Sequence, residues 1–324
     1  MTRNQMFDEN IYTEVNKESK TLLDDYKLEL KSYGRAIKTI EQYEFDIKAF
    51  LCWSVENLGN KSILNMKKRD FRNFFLFMQE TGKSSARINR FQSSLRNILA
   101  FAEDDEDDYE DYDRNVMAKI KSVEKKEVRD IVFLTDEQIT YLIDYLLEHN
   151  KLQKALYVSL SYDSGGRRNE IYQVTREGFL DEGVYKTNKV TGKRGKEFSL
   201  FYSQRTKDIA TDYLDSRTDD LETLWIVGSE EPQPLAYQSL YGFAVSFRSI
   251  LESQYEEDIP VNSHSFRHSC AENLELGTHH MLKQLGKDKL ELNEIRILLN
   301  HSDISTTQSY LKNKDEEIME NLFS

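Results

Sequence analysis

The sequence predicts a mainly α-helical protein with a small β-hairpin, organised as two domains. Three observations lead there. Apolar residues recur at three- and four-residue spacing through residues 21–102 and again from residue 134. A run of nine carboxylates in eleven residues, Glu103 to Asp113, separates the two patterned regions. Only residues 179–202 abandon that period, setting Val184, Tyr185, Val190, Phe198, Leu200 and Phe201 around the turn formers Asn188 and Thr191-Gly192. With 324 residues, 39% hydrophobic and 31% charged, the chain is long enough to bury two cores.

Taken in order, residues 1–20 are read as a polar N-terminal extension, too polar for a secretory signal. The first domain, 21–102, opens with Tyr26, Leu30 and Tyr33 before a break at Gly34. Helical spacing resumes at Ile40, Tyr43, Ile47, Phe50 and Leu51, and again at Phe71, Phe74, Phe75 and Met78. Gly82 ends that helix, and Ser84 or Ser85 caps the next, which carries Ile88, Phe91, Leu95, Ile98 and Leu99. Residues 103–130 are expected to be an acidic linker, because nine like charges repel one another and favour an extended, solvated segment. The second domain, 131–315, starts at the capping sequence Thr135-Asp136-Glu137-Gln138, followed by Ile139, Leu142, Ile143 and Leu146. A hairpin is expected near 190–196. From residue 205 the pattern is helical, interrupted around Pro232, Pro234 and Pro260, and 316–324 is read as a tail.

Charge excludes a uniformly basic surface. The net charge is −13, whereas nucleic-acid binders are usually basic. The imbalance is local, however. Residues 67–96 carry Lys67, Lys68, Arg69, Arg72, Lys83, Arg87, Arg90 and Arg96 against Asp70 and Glu80. No apolar run approaches the roughly 18 residues of a membrane span. The only cysteines, Cys52 and Cys270, lack metal-ligand spacing, so a reducing cytoplasm is expected. There is no phosphate-binding Walker loop, no Asp-rich metal motif, and the acidic run lacks calcium-loop spacing. No cofactor or metal is expected.

The chemistry-bearing residues lie in the second region. Gly165-Gly166-Arg167-Arg168-Asn169-Glu170 supplies arginine, and Gly192-Lys193-Arg194-Gly195-Lys196-Glu197 a basic hairpin. His264-Ser265-Phe266-Arg267-His268 puts His264 and Arg267 on one helical face. Leu298-Leu299-Asn300-His301 follows, then Tyr310 nine positions after His301. Asn300 suits the left-handed position that ends a helix, and Ser302 or Asp303 caps the helix expected to carry Tyr310. Two arginines, two histidines and a lysine around one phenol provide what metal-free cleavage of a phosphodiester requires. Cations favour the phenolate, whose parent phenol has a pKa near ~10, and neutralise charge on five-coordinate phosphorus.

These blocks, in this order, resemble the tyrosine recombinase (phage integrase) family across residues 21–315. Gly34-x-x-x-x-Thr39-Ile40-x-x-Tyr43 and Ile88-Asn89-Arg90 resemble its helical, SAM-like core-binding domain. The resemblance implies a C-shaped clamp on double-stranded DNA, formed by that domain and the catalytic domain. It implies that Arg167 and Arg267 grip the scissile phosphate and that Glu170 braces the site. Lys193 donates a proton to the departing 5′-oxygen, with Lys196 and Arg194 as alternatives for that task. The same resemblance implies His264 as a donor or proton shuttle, His301 as a further catalytic residue and Tyr310 as the nucleophile, while His268 is expected to serve structure. His279 and His280 match nothing. Gly166 and Arg168 stand where the family is typically apolar, and Asn300 where it has glycine. DNA contacts are expected from Lys67, Lys68, Arg69, Arg72, Arg87, Arg90, Arg168, Arg194 and Lys196. A site-specific recombinase of prophage or mobile-element type, working as a tetramer, is the leading reading. The alternatives are a recombinase-fold DNA-binding regulator, such as a phage repressor acting as monomer or dimer, and a topoisomerase-like relaxase. The apolar stripe Ile318, Met319, Leu322 and Phe323 is expected to dock on a neighbouring copy.

Overall fold

The computed structural model describes residues 6–105, 107–124 and 131–311. The chain divides into two units, Met1–Arg129 and Asp130–Ser324. Among the described residues no helix is long and apolar enough to cross a membrane.

The N-terminal unit is built from α1 (Glu9–Glu14), α2 (Lys17–Ser32), α3 (Ile37–Leu58), α4 (Lys68–Glu80) and α5 (Ser85–Asp104). Each boundary has a local cause. The Asp8 and Asn16 side chains accept the first backbone N–H groups of α1 and α2. Gly59, at φ 62°, ends α3 in the left-handed conformation. The Asp70 carboxylate accepts the Lys67 N–H at 2.8 Å, and Ser84 caps α5. The apolar stripes then meet in an aromatic core, where Phe50 lies 5.1 Å from Phe71 and 5.0 Å from Phe74 between ring centres.

Two expectations change here. Residues 6–20 are not an extension separate from the first domain but part of the N-terminal unit. Val15 and Ser19 are buried, α2 begins at Lys17, and the Ser19 hydroxyl accepts the Ile63 N–H at 3.0 Å. The acidic segment is not an extended linker either. α5 runs on to Asp104, and the chain then folds back on its own unit. Asn115, Met117 and Ile120 are buried, Tyr109 donates to Asp25 at 2.5 Å, and Arg96 donates to the carbonyls of Met117 and Ile120. Apolar side chains interleaved with and following the carboxylates supply the anchoring, which outweighs repulsion among acids that remain mostly exposed. Residues 125–130 and the tail from 312, with its apolar stripe, lie outside the described residues.

The C-terminal unit starts with α6 (Asp136–Glu148), α7 (Leu152–Ser164) and α8 (Arg168–Tyr172). Thr135 and Gln138 form the expected reciprocal cap, at 3.2 and 3.0 Å. β1 (Lys186–Thr191) and β2 (Glu197–Phe201) form the hairpin, antiparallel, with Val190 opposite Phe198 and Thr191 opposite Glu197. After α9 (Gln204–Asp215), a second small sheet pairs β3 (Ile226–Val227) with β4 (Gln233–Pro234), at the break that the prolines foretold. Among the described residues five helices follow: α10 (Leu240–Tyr255), α11 (Ser263–Leu276), α12 (Met281–Leu285), α13 (Leu292–Leu298) and α14 (Ile304–Gln308). α7 and α11 run through the core, where Tyr157, Trp225, Phe247 and Phe266 are almost fully buried.

One ion pair of the N-terminal unit separates structure from surface charge. Asp46 is fully buried, and Arg90 meets it with two bonds, Nε to Oδ2 at 3.0 Å and Nη2 to Oδ1 at 2.7 Å. Removing the arginine leaves a buried carboxylate with only two neutral donors, the Ser94 hydroxyl at 3.0 Å and the Gln42 amide at 3.1 Å. Arg90→Ala should therefore destabilise the protein by about 1–3 kcal/mol in urea unfolding, whereas Arg72→Ala, from an exposed position on α4, should change little.

Candidate active site

The pocket is assembled from three chain breaks in the C-terminal unit. α7 ends at Gly165, φ 56°, whose missing side chain leaves room for Leu299 and Cys270. A methyl on Gly166 would lie 2.7 Å from Ile171 Cδ1, so the tip of that side chain would have to shift to admit one. Arg167 then caps α8. Its backbone N–H donates to Glu170 Oε2 at 2.7 Å and its Nη1 to Oε1 at 2.9 Å, with Glu170 buried and Arg167 partly exposed.

Arg267, in α11, is 1% exposed. Its Nη1 donates to the Gly165 carbonyl, and its Nη2 to the Leu299 carbonyl at 2.8 Å and to His301 Nε2 at 2.6 Å. Its Nε has no partner among the described residues. Because Nε2 of His301 accepts, its Nδ1 carries the proton and donates to Thr307 Oγ1 at 2.9 Å. Burial, then the charges of Arg267 and Arg167, push the His301 pKa down to about 3, so this imidazole is neutral at physiological pH.

Tyr310 lies against this group. Its ring stacks on His268 at 4.3 Å, tilts over His301 at 5.0 Å, and has the Arg267 guanidinium carbon 5.3 Å from its centre. Its hydroxyl makes no hydrogen bond to a described residue. Asp303 caps α14, as one of the two expected residues, but Tyr310 sits in the turn just beyond that helix rather than on it. Asn300 adopts the expected left-handed conformation, φ 53°. His264 is exposed in the first turn of α11. Desolvation, then Arg267, Arg167 and Arg168, lowers its pKa, which places it in the field of all three arginines.

Other predicted residues stand apart. Lys193 is exposed in the hairpin turn and its ammonium has no partner among the described residues, while Lys196 donates to the Asn300 side chain. The Arg194 side chain is outside the described set. Arg168 donates from Nε to the Tyr237 hydroxyl at 3.1 Å, its guanidinium 4.5 Å from that ring. In the N-terminal unit, Lys67, Arg69 and Arg72 are exposed, whereas the Lys68 ammonium donates to the Lys119 carbonyl at 3.1 Å. Arg87 and Arg90 line an open groove of about 720 Å³ with Lys38, Gln42, Phe45 and Ser84.

Sequence reasoning missed two groups. His268 touches Tyr310 directly, with Nδ1 3.3 Å from the Tyr310 carbonyl, and its position one turn after His264 was the available signal. His279, buried, and His280, half-buried, form a centre of their own. His280 Nδ1 is 3.0 Å from Asp136 Oδ1 and its Nε2 is 2.9 Å from Asp163 Oδ1. Asp136, His279 and His280 have the spacing of metal ligands, but His279 Nδ1 already accepts the Met281 N–H at 3.1 Å and both His280 nitrogens face carboxylates. The arrangement suits an imidazolium held between two acids.

With the fold and the pocket in view, the class is clear: a SAM-like helical unit joined to a catalytic unit with two arginines, paired histidines and a late tyrosine. The sequence model of the phage integrase family matches residues 132–317, and that of its N-terminal SAM-like domain matches residues 23–106. The chain belongs to the phage integrase (tyrosine recombinase) family. It is 27% identical over 327 residues to the SPbeta prophage-derived recombinase-like protein YomM of Bacillus subtilis (strain 168), covering 95% of this chain and 91% of that protein. It is 26% identical over 306 residues to a tyrosine recombinase of Thermosipho africanus (strain TCF52B), covering 91% and 95%. Its fold is similar to that of the Tn1549 transposon integrase (residues 82–397, in complex with circular intermediate DNA), with a TM-score of 0.68 at 15% identity over 94% of this chain and 99% of that one.

The half-buried imidazolium gives a pH signature. Hydrogen bonds to Asp136 and Asp163 and their charges outweigh burial and raise the His280 pKa to about 9. The folded pKa lies above the unfolded value, so this stabilisation is complete below about pH 6.5 and is lost as pH rises through 9. Thermal unfolding of the wild type should weaken by several degrees between pH 7 and 10. His280→Gln should start lower at pH 7 and lack most of that alkaline decline; parallel curves for the two proteins would contradict it.

Proposed function

We propose that the protein cuts and rejoins DNA at a specific site through Tyr310. The observation that carries this reading is the convergence of Arg267, His301 and His268 on one phenol whose hydroxyl is unengaged. A phosphate seated beside Tyr310 meets the exposed part of Arg167 and lies in the field of the buried Arg267, both permanently charged. The Tyr310 oxygen forms a bond to phosphorus and the bond to the 5′-oxygen breaks. The phenol proton passes to His264, which its surroundings hold neutral at pH 7. Lys193 supplies a proton to the departing 5′-oxygen. The products are a 3′-phosphotyrosyl bond and a 5′-hydroxyl, and attack by another strand's 5′-hydroxyl reverses the steps without ATP. Exchange between two duplexes breaks four strands, one tyrosine for each, so four copies act together. On a nicked duplex carrying its site, the wild type should form an adduct that survives denaturant, and Tyr310→Phe should form none while binding DNA as tightly. Binding without an adduct in the wild type would instead indicate the regulator.

DNA is the partner that this chemistry demands, and the exposed Arg69 and Arg72 of α4 are the cations we assign to its backbone. Log K should fall with log salt with a slope of roughly −5 to −9, as for six to ten phosphate contacts, despite the acidic composition. Arg69→Ala with Arg72→Ala should flatten that slope by about two and leave unfolding unchanged. A double variant with the wild-type slope would remove α4 from the interface.

A further inference from the structure

Lys193 sits in a tight turn, and the rest of the hairpin determines where that turn lies. Two mounts are visible. Gln173, just after α8, clamps the end of β1 with both amide atoms: Oε1 accepts the Thr191 N–H at 2.8 Å, and Nε2 donates to the Thr191 carbonyl at 3.0 Å. On the other side the Lys196 ammonium donates to Asn300 Oδ1. Asn300 is itself fixed to the pocket. It lies between Leu299, whose carbonyl accepts from Arg267, and His301, whose Nε2 does so as well. Its φ of 53° is one that glycine adopts freely, and glycine is the residue the family resemblance leads one to expect there. Glycine keeps the turn but has nothing with which to reach Lys196. The side chain is thus an addition to a backbone position that does not need one.

We propose that Asn300 is a positioning residue, which latches Lys196 and so brings Lys193 to the leaving 5′-oxygen. The inference rests on the strand-transfer reading above. As the bond between phosphorus and the 5′-oxygen breaks, the Lys193 ammonium gives that oxygen a proton and becomes an amine; it regains a proton from the incoming 5′-hydroxyl on rejoining. The latch takes no part in the bond changes. It raises the fraction of molecules whose ammonium is within reach, and a single charge-assisted hydrogen bond on an exposed hairpin is worth roughly a five- to thirtyfold change in that fraction.

The test uses Asn300→Gly, which leaves the turn unstrained, and Lys196→Met, which removes the latch from its other end. Adduct formation is timed on nicked duplex DNA with the ordinary 5′-oxygen at the cleavage site and on the same DNA with bridging 5′-sulfur. A thiol has a pKa near ~8.5, so sulfur leaves without a proton. Both variants should be slowed roughly five- to thirtyfold on the oxygen substrate, Asn300→Gly at unchanged DNA affinity, and both should return to the wild-type rate on the sulfur substrate. Backbone amide exchange without DNA should be faster at residues 192–197 in Asn300→Gly and unchanged in α11. An unaltered oxygen rate, or equal slowing on both substrates, overturns the positioning role. Unaltered exchange in the hairpin overturns the latch itself, whatever the DNA experiment gives. A wild type that forms no adduct on either substrate, with exchange altered as expected, overturns the strand-transfer reading and with it the role of Lys193, while leaving the latch in place.

Discussion

One buried guanidinium, that of Arg267, sets the geometry on which the rest of the catalytic unit depends. An unpaired charge removed from water is among the least stable features a core can contain. Here the charge is shared by the carbonyls that end two helices, Gly165 after α7 and Leu299 after α13, and by the lone pair of His301. The bonds fix three segments that are far apart in sequence. They also account for smaller details: Gly165 must lack a side chain because Leu299 packs over it, and His301 must be neutral because it accepts from a cation. Such a pocket is ordered before any substrate arrives, which is the condition under which fixed charges are most effective.

The C-terminal unit contains a second, half-buried cation, and the contrast between the two is informative. His280 is held between Asp136 and Asp163, so its charge is cancelled where it sits. Arg267 is surrounded by dipoles and a neutral ring, so its hydrogen bonds are nearly satisfied while its charge is not. The first arrangement ties α6 and α7 to the segment before α12. The second leaves positive potential at the face of Tyr310, reinforced by Arg167, whose own charge is only partly offset by Glu170. Charge placement alone therefore distinguishes a structural cation from one suited to an anionic substrate.

Much of this was legible in the sequence because it is local. The spacing of Phe71, Phe74, Phe75 and Met78, the Thr135–Gln138 cap, the hairpin at Gly192 and the left-handed Asn300 each depend on neighbours within a few residues. What escaped depends on distant partners. His280 and Asp136 are 144 residues apart, and Arg90 and Asp46 are 44 apart, so neither pair leaves a periodic trace. The acidic segment misled for a related reason. Its charges are contiguous and conspicuous, while the surface that receives Tyr109 and Met117 belongs to other helices. The residues of the pocket were recognisable by type and order, but the route by which Lys196 meets Asn300 was not.

The placement of Tyr310 depends on the same distinction between local and distant support. α14 has five residues and ends before the tyrosine, too short for intrinsic helix stability to fix the next turn of chain. One local bond, from the Tyr310 N–H to the Thr307 carbonyl at 2.9 Å, continues the turn. The remaining contacts come from elsewhere: the stack on His268, the approach to Arg267 and the tilt over His301. Two of these three belong to α11, which is anchored in the core by Phe266, Cys270 and Leu274. The phenol is thus positioned by the helix that carries the arginine rather than by its own. Its ring contacts are separate from the core around α11 and from the bonds of Arg267 to Gly165 and Leu299, so the phenol is mounted on a charged platform that does not depend on it.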